Sequence, residues 1–367
     1  MSYDIAIVGG GIAGASLAAR LAPHARVLVL EGEDVAGYHA TGRSAAFWSE
    51  SYGGARVQPL TTASGPWLAA PPTEYGGESL LRPRGELFIG TAADAALLDA
   101  FAGEFAALGV TLDPVDPHAF VAGLRPQWTV AVYEPSCSDI DVARLHAACL
   151  AVARRAGATL ITDAELTVAT RTDGRWQLAT RAGTFTAEIL VDAAGAWADP
   201  VARLAGARPV GIAPFRRTMV QLTSAPPAPT DMPLIREAHD RFYVRPEAGG
   251  RLWLTPQDEI PTAACDARPE EIDVAVAVDR LQGAVTWDVA VERTWAGLRS
   301  FAPDRLPVYG FAPEAPGFFW FAGQGGFGIQ TAPAASALAA SLLLGAAPDP
   351  MVAQIDPATY SPARFAR

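Results

Sequence analysis

The N-terminal residues constrain the fold of this chain more than any other feature of the sequence. An apolar run at residues 5–8 precedes three glycines spaced Gly-x-Gly-x-x-Gly at positions 9–14, and an apolar helical face follows. A second apolar run, residues 26–31, ends in a carboxylate. Short continuous apolar runs are typical of strands buried on both faces. The spacing therefore predicts a strand, helix, strand unit of about 30 residues that opens a parallel sheet.

The glycine turn predicts a dinucleotide site. Its glycines allow a tight turn, close approach of the backbone to a pyrophosphate and close packing of the helix, whose first amides face the phosphates. Glu31 stands where a carboxylate can accept both ribose hydroxyls of an adenosine and repel a 2′-phosphate. A glycine turn that serves packing alone is the alternative. The predicted contacts are Gly9, Gly11, Ile12, Ala13, Gly14 and Glu31.

Two further glycine junctions favour FAD over NAD as the dinucleotide. A flavin dinucleotide lies extended and needs contacts beyond the first unit, and residues 41–44 and 323–330 can supply them. The second of these segments opens a long uncharged helix, whose positive end suits the negative charge of a reduced flavin. These glycines could also simply cap a core helix. The further contacts predicted for the flavin dinucleotide are Thr41, Gly42, Arg43 and Ser44.

The composition excludes several other kinds of chemistry. The chain has 28 basic residues, all of them arginine, and contains neither lysine nor asparagine. Schiff-base lysines, P-loop lysines and N-glycosylation are therefore excluded. A net charge of −11 argues against a nucleic-acid surface or an anionic-membrane surface.

Cysteine and histidine give no sign of a metal site. The three cysteines, Cys137, Cys149 and Cys265, are too few and too scattered for a disulfide framework or a zinc cluster. The five histidines lack metal-ligand spacing, so no metal is expected.

The uncharged stretch 330–347 contains Pro333 and is interpreted as a buried helix. We expect a cytoplasmic protein, peripheral to a membrane if its electron acceptor is a quinone.

The pattern along the chain predicts an α/β fold with two interleaved domains. Helical spacing at residues 93–108 and 141–156, alternation at 167–187 and a third strand and glycine junction at 189–195 define the pieces. We predict a Rossmann-like FAD-binding domain and a β-rich α+β substrate domain. The first takes residues 1–52, 139–213 and 296–367, and the second takes residues 53–138 and 214–295.

Five segments in order resemble the D-amino-acid oxidase superfamily of FAD enzymes, and within it the bacterial D-arginine dehydrogenase branch most. They are IVGGGIAGASLA, GYHATGRSAAFWSESYG (37–53), ILVDAAGAWAD (189–199), TWAGLRSFAPD (294–304) and FFWFAGQGGFGIQTAPA (318–334). The resemblance implies FAD held without a covalent link, and no cysteine follows Cys265 in the sequence. It adds flavin contacts at Ala194, Gly195, Trp197, Gly325, Gly326, Gly328, Ile329 and Gln330.

Two arginines are predicted to hold a substrate carboxylate, because a guanidinium binds a carboxylate through two parallel hydrogen bonds. They are Arg216 and Arg299, and the resemblance matches both to the family's carboxylate-binding arginines. Strand alternation lets only one of Arg216 and Arg217 face inward, and Arg216 is preferred. A pair of edge-strand charges is the alternative for these neighbours.

The remaining site residues come from the resemblance. It implies that Tyr52 and Tyr243 contact the carboxylate and cover the pocket, that the Gly297 carbonyl accepts from the amine, and that Gln330 lies near flavin and substrate. Glu86 corresponds to a carboxylate that attracts a basic side chain. Phe47 stands where the D-arginine branch has histidine, which favours a more apolar substrate.

The predicted reaction is the FAD-dependent oxidation of an amino acid, with a D-amino acid preferred, to an imino acid that hydrolyses to a 2-oxo acid and ammonia. The electron acceptor is a quinone or dioxygen. Oxidation of a secondary amine of the sarcosine or glycine type, oxidation of a 2-hydroxy acid, and a non-catalytic flavin-binding module are the alternatives.

Overall fold

The computed structural model describes residues 2–365 and contains three sheets. The strands are β1 (Ser2–Val8), β2 (Val27–Leu30), β3 (Phe47–Trp48), β4 (Leu81–Pro83), β5 (Glu86–Thr91), β6 (Asp113–Val115), β7 (Trp128–Glu134), β8 (Ser138–Ile140), β9 (Thr159–Ile161), β10 (Leu166–Thr172), β11 (Arg175–Thr180), β12 (Gly183–Asp192), β13 (Ala213–Ala225), β14 (Leu234–Glu237), β15 (Tyr243–Glu247), β16 (Arg251–Thr255), β17 (Ile260–Pro261), β18 (Asp288–Phe301), β19 (Val308–Phe311) and β20 (Phe318–Ala322).

Seven α-helices of the described chain pack on or between these sheets. They are α1 (Ile12–Leu21), α2 (Gln58–Ala69), α3 (Ala95–Ala106), α4 (Val142–Arg155), α5 (Ala198–Leu204), α6 (Glu271–Gln282) and α7 (Gly328–Leu344). The predicted helices at 93–108 and 141–156 correspond to α3 and α4, and the alternating stretch 167–187 forms β10, β11 and the start of β12.

The first large sheet has eight strands and carries the predicted βαβ unit. Its order is β10-β11-β12-β1-β2-β9, with β20 on β12 and β19 on β20. β1 runs parallel to both β2 and β12, and β12 runs parallel to β20. The carboxyl ends of these four strands therefore meet at one edge of the sheet. This arrangement confirms the predicted α/β fold class.

Helix α7 is the buried centre of the layer that covers this sheet. Nearly all of its side chains from Ile329 to Ala340 are buried, with Pro333 inside the helix. It packs on α1 and α2 in a core that includes Leu17 of α1 and Phe319 of β20. The interpretation of residues 330–347 as a buried helix is confirmed as far as Ala340, whereas the helix ends at Leu344, which is exposed. Within residues 2–365, no helix is long and apolar enough to cross a bilayer.

The second large sheet has nine strands and lies beyond the carboxyl edge of the first. Its order is β17-β13-β16-β15-β14-β5-β7-β6, and β18 pairs with β13. The β13–β18 pair is the longest in the molecule among the described residues, with Cα partners from Ala213↔Phe301 to Ala225↔Asp288. Helix α6 buries Ala277 and Leu281 against this sheet.

One segment packs differently from the predicted domain division. Residues 53–138 were assigned to the second domain, but α2 packs on α7, with Leu60 and Leu68 in the core of the first sheet. The prolines and glycines after residue 52 predict that the chain leaves the first sheet there. They do not show that α2 packs in the layer of helices that covers that sheet. The predicted boundaries at 213/214 and 295/296 fall inside β13 and β18.

The turn between β1 and α1 depends on a close contact between backbones. An added Cβ at Gly14 would lie 1.9 Å from the carbonyl oxygen of Gly9, which shows how closely α1 approaches the end of β1. Gly9 has φ of +104°, and a Cβ there would lie 2.5 Å from the Ala193 carbonyl oxygen. Larger residues at these two positions would push α1 and the β12 end away from β1.

We expect Gly14→Ala to lower the free energy of unfolding by about 3 kcal/mol or to prevent folding, because the rigid backbone beside it cannot move aside. The matched control is Gly103→Ala in α3, where an added Cβ meets nothing within 4 Å. That substitution should raise stability by about 0.5–1 kcal/mol. Urea unfolding followed by circular dichroism measures both changes; equal stability of Gly14→Ala and the wild type would contradict the close contact.

Candidate functional site

A cavity of about 520 Å³ lies between the two large sheets. It begins at the carboxyl ends of β1 and β2, passes the turns after β12 and β20, and ends against β13 and β18. Its volume lies in the usual range for small-molecule and cofactor sites. The glycine junctions that are far apart in the sequence thus contribute to one cavity.

The carboxylate of Glu31 is fixed at the outer end of this cavity. Its Oε2 accepts from the Gly10 amide at 2.8 Å, and its Oε1 accepts from the Glu33 amide at 3.0 Å. Each oxygen has a further lone pair for a hydroxyl. Beside it, the Ile12 amide donates to Thr41 Oγ1 at 2.9 Å, so this amide already has a side-chain partner. Thr41 thereby joins the segment 41–44 to the start of α1.

Most of the predicted cofactor contacts line the cavity. Gly14 and Gly42 do not: Gly14 serves the packing of α1, and Gly42 closes a turn in which its amide donates to the Gly37 carbonyl. The predicted residues that do line it are Gly9, Gly11, Ile12, Ala13, Glu31, Thr41, Arg43, Ser44, Ala194, Gly195, Trp197, Gly325, Gly326, Gly328, Ile329 and Gln330.

Arg43 connects the first sheet's loops to the second sheet. Its Nη1 donates to the carbonyls of Ala267 and Ala296 at 3.0 and 3.1 Å, and its guanidinium forms an ion pair with Asp266. The Trp295 indole donates to the Arg43 carbonyl at 3.0 Å. Arg43 is therefore part of the cavity wall, with its own charge already paired.

The turn between β20 and α7 brings backbone close to two polar side chains. A Cβ added at Gly326 would lie 2.2 Å from the Tyr52 hydroxyl and 2.9 Å from Arg299 Nη1. Only glycine at this position leaves space for both groups. Helix α7 begins two residues later, at Gly328, and its amino end lines the cavity, where the helix dipole favours negative charge.

The prediction that Arg216 faces the cavity is wrong. In the β13–β18 pair Arg217 is opposite Gly297, and Phe215 is opposite Arg299, so these four residues share one face. Arg216 is opposite Leu298 on the other face, where it forms ion pairs with Glu270 and Asp273 of the α6 region. Arg217 is the arginine that lines the cavity.

Arg217 and Arg299 form a cationic inner end of the cavity. Arg299 Nη1 donates to the Tyr52 hydroxyl at 2.7 Å, and within residues 2–365 Arg299 has no ion pair. Arg217 donates to Gln257 Oε1 at 3.2 Å and forms an ion pair with Glu259, which lies 3.3 Å away and also pairs with Arg305. Burial, and then the nearby Arg299 charge, lower the pKa of Arg217 to about 10. Both groups are cationic at neutral pH, so this end of the cavity favours an anion.

The structure also contradicts the predicted role of Glu86. Glu86 is fully buried, does not line the cavity and pairs with Arg236 Nε at 2.6 Å. The Arg236 guanidinium in turn lies 4.8 Å from the ring centre of Tyr52 and 5.5 Å from that of Phe47. The charge of Glu86 is neutralised behind an aromatic wall, so it is not available to a basic substrate.

That wall is apolar. The ring centres of Phe47 and Tyr52 are 5.3 Å apart, and those of Phe47 and Tyr243 are 5.7 Å apart. Met219, on the same face of β13 as Arg217, lines the cavity beside the Tyr243 hydroxyl. Phe47, Tyr52 and Tyr243 all line the cavity as the resemblance implied, whereas the contribution of Met219 was not predicted.

Gln330 and Gly297 line the cavity as well, but the side chain of Gln330 is fully engaged within the protein. Its Oε1 accepts from the Ser49 amide at 3.2 Å, and its Nε2 donates to the Tyr52 carbonyl at 3.1 Å and to Thr61 Oγ1 at 2.9 Å. Gln330 therefore holds the backbone that carries Tyr52.

Comparisons with known proteins agree with this geometry. The family described as "FAD dependent oxidoreductase" (DAO) matches residues 4–342. Glycine oxidase of Geobacillus kaustophilus is 27% identical over 377 residues, covering 93% of each chain, and its crystal structure superposes with a TM-score of 0.84 over 97% of this chain and 98% of that one. Glycine oxidase of Pseudomonas putida is 28% identical over 390 residues, covering 99% of each chain. L-Proline dehydrogenase from P. horikoshii shares the fold, with a TM-score of 0.85, 21% identity and 99% and 98% coverage.

We expect Arg217→Met to weaken the binding of propionate, a simple carboxylate, by about tenfold or more, because it removes one guanidinium from the cavity. The matched variant Arg216→Met should bind propionate as the wild type does, but it should melt at a lower temperature, since it leaves buried Asp273 without its cation. Isothermal titration calorimetry and thermal unfolding of both variants separate the two effects. Loss of propionate binding in Arg216→Met alone would contradict the assignment of faces.

Proposed function

This chain belongs to the DAO family of FAD-dependent oxidoreductases, and from that premise we propose that it oxidises a small or apolar amino acid, of D configuration where the α-carbon is chiral. The product is an imino acid, which water converts to a 2-oxo acid and ammonia. At the coarser level, the chain is an FAD-dependent amino-acid or amine oxidoreductase. Membership of the D-amino-acid oxidase superfamily is confirmed, whereas the comparisons do not single out the D-arginine branch.

The residues of the cavity fit FAD. Glu31 has free lone pairs for the adenosine ribose, the glycine turn allows a diphosphate to approach the start of α1, and the amino end of α7 suits the flavin. When bound, FAD supplies the acceptor for the hydride that leaves the substrate α-carbon. The protein then has to hold the substrate, orient it and keep water away.

The observation that carries the proposal is that Arg299 lines the cavity without a carboxylate partner within residues 2–365. It is a half-buried cation at the inner end of the cavity, and the Tyr52 hydroxyl is its hydrogen-bond partner in the described chain. A substrate carboxylate would supply the missing anion, and Arg217 provides a second guanidinium nearby. We assign both arginines to the substrate carboxylate and Tyr52 to the same group.

The same two cations act on the substrate amine. Hydride removal requires a neutral amine, and nearby positive charges lower the pKa of an ammonium group. A carboxylate bound at the arginines would place the amine near Gly297, which is opposite Arg217 in the strand pair. We assign the Gly297 carbonyl as the acceptor of an amine hydrogen, which leaves the α-hydrogen to point along the cavity.

The walls define the side chain that fits. Phe47, Tyr243 and Met219 give an apolar surface, and Arg236 neutralises Glu86 behind it. At this end of the cavity a basic side chain would meet the guanidinium groups of Arg217 and Arg299, and within residues 2–365 no carboxylate lines it there. We therefore propose glycine, D-alanine or a D-amino acid with an apolar side chain in preference to D-arginine.

Oxidation of a secondary amine of the sarcosine type is the second candidate, and the similarity of 41% of this chain to human sarcosine dehydrogenase, at 27% identity, supports it. A 2-hydroxy acid fits less well, because its hydroxyl proton needs a base. In the described chain the carboxylates and the imidazole that line the cavity are Glu31, Glu33, Glu165 and His39, from the β2 and β10 side. A non-catalytic flavin module would not need two guanidinium groups in the cavity.

We expect anaerobic mixing with glycine, sarcosine or D-alanine to bleach the yellow protein, and D-arginine to bleach it at least about tenfold more slowly than D-leucine. Arg299→Met should keep its FAD and lose about 100-fold in kcat/KM, since it removes the charge that orients the carboxylate. The control Arg293→Met changes an exposed arginine of the same strand and should change neither quantity. Bleaching by 2-hydroxy acids alone would overturn the proposal, and readmitted air tests dioxygen as the acceptor.

We further propose that FAD is held without a covalent bond. Cys265 is exposed and lines the cavity, so it is the thiol to test. Acid precipitation should leave the flavin in the supernatant from the wild type and from Cys265→Ser alike. A yellow pellet from the wild type but not from Cys265→Ser would show a covalent link instead.

A further inference from the structure

Glu134 is a buried carboxylate that the proposed reaction does not use. It is the last residue of β7, is fully buried and does not line the cavity. Its Oε2 accepts from the hydroxyls of Ser49 and Ser51, and its Oε1 accepts from the Glu50 amide at 2.7 Å and from the Ser136 hydroxyl at 3.2 Å. Most of these donors belong to one short segment, residues 49–51.

The same segment is held from the other side by Gln330, which accepts from the Ser49 amide and donates to the Tyr52 carbonyl. Tyr52 follows the segment directly, and its hydroxyl accepts from Arg299 at 2.7 Å. Glu134 on the second sheet and Gln330 on α7 therefore clamp the backbone that sets the position of Tyr52. Because Tyr52 accepts a hydrogen bond from Arg299, the contacts made by Glu134 and Gln330 also affect the position of the guanidinium assigned to the substrate carboxylate.

We propose that Glu134 is a positioning residue that holds Tyr52 and Arg299 in place for the substrate carboxylate, and that uptake of a proton by Glu134 weakens carboxylate binding. The inference rests on the proposed function, because it assumes that Arg299 binds a carboxylate. It adds a residue outside the cavity and a dependence on pH to that function.

The chemistry of the four donors explains why the charge of Glu134 matters. An ionised carboxylate accepts from all four, whereas a protonated one must itself donate from one oxygen. The Glu50 amide cannot accept, but the hydroxyls of Ser49 and Ser51 can rotate to do so. A proton on Oε2 is donated to one of these two hydroxyls, which must rotate to accept it, and the charge-assisted bonds at Glu134 are replaced by weaker neutral ones. The segment 49–51 is then held less firmly.

The surroundings make this proton uptake accessible near neutral pH. Burial, and then the Glu86 carboxylate that lies directly opposite in the β5–β7 pair, raise the pKa of Glu134 to about 7. Arg236 pairs with Glu86 and limits the repulsion between the two carboxylates. The titratable and charged groups around Glu134 are Glu50 and Tyr52 in and after the held segment, Glu86 on β5, Cys137 after β7, Asp139 on β8 and Arg236 on β14.

The test is the affinity of the holoenzyme for propionate, measured by calorimetry from about pH 5.5 to 8.5, on either side of the transition expected near pH 7. The wild type should bind propionate about fivefold more tightly at the alkaline end, where Glu134 is ionised. Glu134→Gln resembles the protonated acid and should bind weakly at every pH, with no transition. A purely electrostatic role has the opposite sign, because losing a negative charge near the site strengthens the binding of an anion.

A pH transition that Glu134→Gln retains would overturn the role of Glu134, and so would tighter binding by the wild type at the acidic end. Absence of propionate binding in both proteins at every pH would contradict the proposed function itself and this inference with it. Ser51→Ala and Ser136→Ala provide a second test that leaves the carboxylate in place. Ser51→Ala should weaken propionate binding several-fold and Ser136→Ala should not, since Ser136 lies outside the held segment; equal effects would contradict the clamp.

Discussion

The meeting of four parallel strand ends at one edge of the first sheet is the constraint on which the rest of the structure depends. β1, β2, β12 and β20 all deliver their carboxyl ends there, and α1 can begin directly at that edge because Gly14 lets it contact the Gly9 carbonyl. The short turns after β1, β12 and β20 and the longer loop after β2 line the cavity at this edge. The second sheet then closes the open side of the cavity with β13 and β18.

Local sequence patterns were sufficient to predict several of the elements and to favour FAD as the cofactor. The first βαβ unit, α3, α4 and the buried α7 follow from apolar spacing, and FAD follows from three glycine junctions that no single packing role explains. Helix α2 was not predicted, because Gly65 and Pro66 interrupt its helical pattern. The helix is stabilised by packing on α7, which is far away in the sequence.

The errors in the predicted site arise from partners that are distant in the sequence. Alternation showed that only one of Arg216 and Arg217 faces the cavity, but choosing between them required the register of β13 on β18. Glu86 has the chemistry to attract a cation, and its cation is Arg236, a residue of the same protein on a neighbouring strand. Register and burial are properties of the tertiary structure, so the sequence of one strand cannot report them.

The long β13–β18 ribbon has a consequence for how the enzyme can move. Its thirteen registered pairs run from the cavity, where Arg217 and Arg299 lie, to the far side of the second sheet, with one register shift between Gln221 and Leu222. Both strands belong to the second sheet, and the cavity end of β18 is tied to the turn before α7, where the Gly325 amide donates to the Ser300 carbonyl at 2.9 Å. Because of this tie, we expect the arginines and the amino end of α7 to move together, and substrate and product to exchange through rearrangements of side chains and loops at the cavity mouth.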